Sequence, residues 1–217
     1  MIYHAFNRSA GRLRLFRTDA DYQAFEDVLI EAHERVPIRI LAWCVLPDRW
    51  QFVVWPRREG ELSDFVRWLA HTHAIRWRFA HRSAGAGHLY QGRFKNFPVQ
   101  QDEDTLLTLC RHVERAALTG KLVKRAERWR HSSLWASAHG PNELRAILSP
   151  TPVQRPRNWI ERVNRPLTEK ELARIKASVE RGRPFGSDKW VQQTVKRLHM
   201  EHTVRPLGRP RKTPAGK

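Results

Sequence analysis

Two neighbouring runs constrain the fold more than any other feature of the chain. Ile38 to Leu46 (IRILAWCVL) is an almost unbroken series of β-branched and apolar residues, and Gln51 to Trp55 (QFVVW) follows closely. A short run that is apolar at successive positions reads as a strand covered on both faces. Pro47-Asp48 between the runs is turn chemistry, so the two strands are expected to pair as a hairpin. The cover must come from amphipathic helices. Asp19 is placed to cap one in which Tyr22, Phe25, Val28, Leu29 and Ala32 recur at helical spacing, with Pro37 ending it. Gly60 or Ser63 opens a second, with Leu62, Phe65, Val66 and Leu69 on one side, and it ends before Ser83–Gly87. Asp102 caps a third, whose Leu106, Leu109, Cys110, Val113 and Ala117 form an apolar stripe. Ile2 to Phe6 and Phe94 to Val99 read as further strands. Strands and helices in this order predict an α+β fold, a ferredoxin-like antiparallel sheet covered by helices.

Charge divides the chain. Residues 1–150 hold 23 Lys+Arg against 16 Asp+Glu, and residues 151–217 hold 17 against 6. The stretch from Pro150-Thr151-Pro152 through Pro156 to Pro166 reads as a linker. The expected organisation is an α+β domain over 1–150, a linker and small basic helical region over 151–204, and a flexible basic tail over 205–217. Thr168 and Glu171 form a capping box, with Leu172, Ile175 and Val179 as the buried stripe. Ser187 caps a last helix with Trp190, Val191, Thr194, Val195 and Leu198 on one face. Arg181-Gly182-Arg183-Pro184-Phe185-Gly186 lies between them, the layout of a helix-turn-helix reader.

A net charge of +18 implies a polyanionic partner, most simply nucleic acid. Cys44 and Cys110 sit inside apolar runs, which fits a reducing compartment and no disulfide scaffold. No run is long and apolar enough to span a membrane and no signal peptide is read at Met1-Ile2-Tyr3-His4, so a cytoplasmic, nucleoid-associated protein is expected. There is no P-loop and no Ser-His-Asp arrangement. His71 and His73 are two apart on a helix and read as part of a solvated face.

Candidate DNA contacts follow from the cations. Arg8, Arg12, Arg14 and Arg17 lie on a loop-like basic stretch. Arg93 and Lys95 flank Phe94, an alternation that predicts both cations on one face beside Tyr90. Lys196 and Arg197 lie on the last helix. Arg181-Gly182-Arg183-Pro184 and the tail residues Gly208-Arg209-Pro210-Arg211-Lys212, with Arg205 before them, have the form of an AT-hook, in which Arg enters a narrow A·T minor groove.

Leu46-Pro47-Asp48-Arg49-Trp50-Gln51-Phe52-Val53-Val54-Trp55-Pro56 resembles a segment of the single-tyrosine transposases of small bacterial insertion sequences. It most resembles their chromosomal relatives, the transposases associated with repetitive extragenic palindromes. Tyr3–Arg8, Tyr90–Lys95, Cys110–Arg115, Trp129–Ser133 and Arg181–Ser187 fit the same family in the same order. The resemblance implies cleavage of single-stranded DNA beside a hairpin, by a monomer or a homodimer. It implies a His-hydrophobic-His motif on a strand holding Mg or Mn, and a helix tyrosine that becomes a phosphotyrosine.

On that pattern the two histidines fall on Arg49 and Gln51, the tyrosine on His112, and a supporting asparagine on Ala116. Arginine has no lone pair for a metal and carries its own positive charge. No catalytic residue of the family is therefore intact, and no metal site and no cofactor are expected. The expectation is a domesticated DNA-binding protein for palindromic or hairpin single-stranded DNA, with Arg49 clamping a phosphate and His112 a surface histidine. The enzyme alternative is an active nickase and strand-transferase, metal-dependent or built on His112 with Arg49 as stabiliser. Against the His112 route, no second histidine is placed to relay a proton. A third alternative is a decayed gene product that folds without a selected role.

Overall fold

The computed structural model describes residues 1–11, 13–83, 85 and 87–205. Arg12 and the tail candidates Arg209, Arg211 and Lys212 lie outside the described residues.

Strands β1 (Ile2–Arg8), β2 (Arg39–Leu46), β3 (Arg49–Trp55) and β4 (Lys95–Val99) form one sheet in the order β2-β3-β1-β4. Every neighbouring pair is antiparallel. Helix α1 (Asp19–Arg35) joins β1 to β2, and α2 (Glu61–Ala80) joins β3 to β4. This is the expected ferredoxin-like arrangement. The α1 stripe named above is buried throughout. Its cap, however, is Thr18 rather than Asp19: the Thr18 hydroxyl and the Asp21 side chain form a reciprocal capping box, and Asp19 is the first helical residue. Of the two starts considered for α2, Gly60 is the one used, at a left-handed φ of 78° that a side chain would strain.

The two sheet faces have separate cores. Trp43, Val45, Trp50, Phe52 and Val54 pack under α1 and α2. Ile2, Cys44, Leu46, Val53, Phe97 and Val99 pack under α3 (Glu103–Glu114), whose Asp102 cap and stripe match expectation. Short helices α4 (Ala116–Thr119), α5 (Ser133–His139) and α6 (Asn142–Ala146) follow. Cys44 and Cys110 are buried free thiols.

Residues 151–167 run against the α3 face. Glu114, fully buried, accepts from Ser133 Oγ (2.7 Å), Arg155 Nη1 (3.1 Å) and Trp159 Nε1 (2.7 Å). Trp159 and Val163 of α7 (Trp159–Asn164) are buried in the same core. The proline-rich stretch expected as a linker is thus anchored through a charge that would be costly to leave unpaired.

Helices α8 (Glu169–Arg181) and α9 (Asp188–Arg197) are capped by Thr168–Glu171 and by Ser187 as expected. In α8 the buried residues are Ile175 and Ser178; Val179 is half-buried and Leu172 is exposed, because only one edge of this helix meets the sheet. The turn between α8 and α9 docks on β4. Phe185 N–H donates to Pro98 O (2.8 Å) and its carbonyl accepts from Gln100 N–H (2.9 Å). On the far side, Val45 N–H donates to His131 O and Ser149 N–H to Ile40 O (2.9 and 2.8 Å), so both sheet edges are covered.

Candidate nucleic-acid interface

Alternation along the strands decides which side chains meet. In β3, Trp50, Phe52 and Val54 face α1 and α2, so Arg49, Gln51 and Val53 face the α3 side. In β1, Ile2, His4, Phe6 and Arg8 share that side. The register sets Phe6 opposite Gln51 and Arg8 opposite Arg49. In β4, Lys95 lies opposite Phe6. Two arginines directly across a strand pair, with a lysine one strand over, are an unfavourable arrangement unless an anion lies among them.

Arg49 is half exposed and lies 3.3 Å from Asp48. Arg8 is exposed and donates through Nε to Gln91. Beneath them lies a drier layer. His4 is 1% exposed, and its Nε2 lies 3.3 Å from Gln51 Oε1. With Nε2 donating to that amide oxygen, Nδ1 is left as a buried acceptor without a partner. His112, half-buried on α3, sets its ring edge-on to His4 with centroids 6.4 Å apart. Burial, and to a smaller degree His112, pull the His4 pKa down to about 3. Burial and then the Arg49 guanidinium pull His112 down to about 4. Both rings are neutral at physiological pH.

Two expectations change here. His112, expected as a surface histidine flanking the apolar stripe, is half-buried with its ring against His4. A second histidine does stand beside it: His4, whose face the Tyr3-His4-Ala5-Phe6 alternation already sets, although its meeting with a helix more than a hundred residues later is not readable from spacing. Ala116, half-buried at the start of α4, brings no polar group.

The donor set does not suit Mg or Mn. Where the family's two imidazoles fall, this strand offers a permanent cation and an amide already engaged by His4, and no carboxylate among the described residues joins His4 and His112. Among the described residues, no three His, Cys, Asp or Glu gather as a metal site.

The remaining sequence candidates scatter. Lys95 and Arg181 line one groove together with Phe6. Arg93, expected on the same face as Lys95, precedes β4 and lines a different groove beside α2. Tyr90, expected at the DNA surface, is buried: its hydroxyl lies 3.1 Å from Trp50 Nε1 and 2.6 Å from His73 Nδ1. His73 likewise is core rather than solvated face, with burial lowering its pKa to about 3, while His71 is exposed. Arg183 pairs with Asp188 at 3.5 Å, and Arg181 donates to the carbonyl of exposed Arg205. Gly182 is the left-handed C-cap of α8 and Pro184 is buried, so the first Arg-Gly-Arg-Pro is a docked turn rather than a free strip. Arg14, Lys196 and Arg197 are exposed. Several cations not singled out serve as staples: Arg111 donates to the carbonyl of Arg162 (3.1 Å) and Arg115 to that of Val163 (3.1 Å).

A four-stranded ferredoxin-like sheet thus carries helix α3 over a cationic strand pair. Residues 1–116 match the family model "Transposase IS200 like", and the chain belongs to that family. No curated protein matches it in sequence. Among solved structures, it is similar to a tyrosine transposase associated with REP elements and bound to a REP hairpin. That match has 17% identity and a TM-score of 0.48, covering 64% of this chain and 80% of the other. A candidate transposase from Deinococcus radiodurans R1 is similar at 18% identity and a TM-score of 0.41, over 56% and 88% of the two chains. No helix among the described residues is long and apolar enough to cross a membrane.

Proposed function

We propose that this transposase-family protein binds hairpin or palindromic single-stranded DNA on the nucleoid and does not perform metal-dependent cleavage. The observation that carries this reading is the Arg8–Arg49 cross-strand pair over the position where the family's metal motif falls. Asp48 meets Arg49 alone and Arg8 has only the Gln91 amide, so a phosphate between the two guanidiniums offsets their repulsion and accepts charge-assisted hydrogen bonds. Lys95 and Arg181 extend the same basic face along the strand ends, and the basic tail 205–217 adds sequence-independent phosphate contacts.

A labelled hairpin panel with Mn²⁺, read on native and denaturing gels, tests the reading. The expected result is a shifted native band with intact, unattached DNA, and binding that weakens steeply with salt. Cut DNA, or no binding at low salt, overturns it.

The His4–His112 pairing favours one second reading. His112 attacks the scissile phosphorus through a ring nitrogen, an N–P bond forms as the P–O bond to the displaced strand breaks, and that strand's oxygen takes a proton from water. A covalent adduct lost in His112→Ala would establish that route.

A further inference from the structure

The α2 side of the sheet carries a second surface, separate from the Arg8–Arg49 strand pair. Phe79 near the end of α2 is 88% exposed, and Ile75, one turn earlier on the same helix face, is 55% exposed. A phenylalanine left so open costs hydrophobic free energy, and the adjoining pair is the most exposed apolar surface among the described residues. Beside it, a groove of about 450 Å³ runs between α2 and the segment before β4. Ile75, Arg78, His88 and Arg93 contribute to its walls. Arg82, exposed, follows one turn beyond on the chain.

Charge identifies the occupant. From residue 65 to residue 101 there is no Asp or Glu, while Arg67, Arg76, Arg78, Arg82, Arg93 and Lys95 all fall in that interval. Arg76 is neutralised from outside it, by Glu31 on α1 at 2.6 Å. Arg82 and Arg93 have no acidic partner among the described residues. Ile75 and Arg93 line the groove, while Phe79, one turn on from Ile75, and Arg82 lie beyond its α2 end. Apolar surface beside unpaired arginines is what single-stranded DNA fits, with bases stacking on the ring and phosphates meeting the guanidiniums. A second copy of this chain would bring the same positive charge to the groove and be repelled.

We propose that the α2 groove, with Phe79 as stacking platform and Arg82 and Arg93 as phosphate contacts, binds single-stranded DNA that flanks the hairpin. This rests on the DNA-binding reading above, but it concerns a different face. The groove lies on the α2 side, whereas Arg8 and Arg49 lie on the α3 side. The flank would therefore have to pass around the sheet end where Arg93 and Lys95 part company.

The test measures fluorescence anisotropy of the full chain with three probes: a hairpin carrying a dT flank of about eight nucleotides, within the span one such groove covers; the same hairpin without the flank; and the flank alone. Phe79→Ala should weaken binding to the flanked hairpin at least about fivefold, the lower end of one lost base stack. It should leave the bare hairpin unchanged. Phe79→Leu, which keeps apolar bulk without a π face, should lose about as much as alanine, and Arg82→Gln/Arg93→Gln should lower the salt dependence for the flanked probe alone. Melting temperature should not move, since the ring is exposed. The inference is overturned if Phe79→Ala binds the flanked hairpin like the parent, or if sedimentation shows a parent dimer that Phe79→Ala converts to monomer. A parent chain that binds none of the probes would instead remove the DNA-binding reading itself, so the two failures are distinguishable.

Discussion

The two faces of the central sheet bury histidines in the same neutral state and make opposite use of them. On the α1–α2 face, Trp50 Nε1, the Tyr90 hydroxyl and His73 Nδ1 form a closed chain of hydrogen bonds inside an aromatic core. On the α3 face, His4 bonds Gln51 on one side and keeps Nδ1 without a partner, beneath two arginines facing each other across the strands. A closed network fixes the geometry of a core. The α3 face leaves its orphan, His4 Nδ1, beside excess charge, whereas the orphan of the α1–α2 face, Trp43 Nε1, lies in apolar core. Adjacent residues of one strand, Trp50 and Gln51, thus belong to an aromatic core and to the layer beneath the two arginines.

Acid should press on both faces at once and give the largest effect. His4, His73 and His112 have folded-state pKa values of about 3, 3 and 4, below the ordinary histidine value of 6.5. The unfolded chain takes up protons below pH 6.5 and these folded rings do not. Stability is therefore complete above about pH 7 and falls as pH drops toward 4, by roughly 2 kcal/mol or more per histidine. Urea midpoints measured from pH 7.5 to 4.5 check this. If His73→Phe alone flattens the profile, the open face admits water and the comparison fails.

Trp50→Ala should cost about 3–5 kcal/mol in urea unfolding, since it removes a fully buried ring from the closed face. Tyr90→Phe changes less volume but strands the Trp50 and His73 nitrogens, at roughly 1–3 kcal/mol. Neither should alter DNA affinity when binding is measured well below the melting temperature. Arg49→Gln should do the reverse, with melting held or slightly raised because Arg8 loses a like-charged neighbour. Hairpin affinity should fall about tenfold, with a salt slope smaller by about one. A stability loss without an affinity loss would make Arg49 part of the scaffold.

Much of this architecture is legible in the chain. The unbroken apolar runs of Ile38–Leu46 and Phe52–Trp55 and the 3.6-residue stripes of Tyr22–Ala32 and Leu106–Ala117 record burial directly, so the strands and helices can be read. Thr18-Asp19-Ala20-Asp21 offers two plausible caps, and only the reciprocal Thr18–Asp21 bonds choose between them. The site is harder. Nothing local distinguishes the buried His73 from the exposed His71, because that depends on Tyr90 arriving from 17 residues away. Leu172 satisfies helical periodicity yet stays exposed, since the pattern cannot tell how wide a strip of α8 the sheet will meet. Surplus cations mislead similarly: Arg111, Arg115 and Arg155 bind carbonyls and a buried carboxylate, not a ligand.

The covered sheet edges have a consequence in time. During synthesis the last strand, β4, emerges well before the residues that close its outer side, since Phe185 lies 86 positions after Val99. His131 and Ser149, which close the β2 side, also come later than the whole sheet. For that interval the nascent protein presents open backbone donors and acceptors on both flanks, and a chain cut short before Phe185 would keep one flank open permanently. The C-terminal region therefore acts on the first hundred residues as a late-arriving guard against strand-to-strand aggregation, and shortened versions should precipitate at concentrations the full chain tolerates.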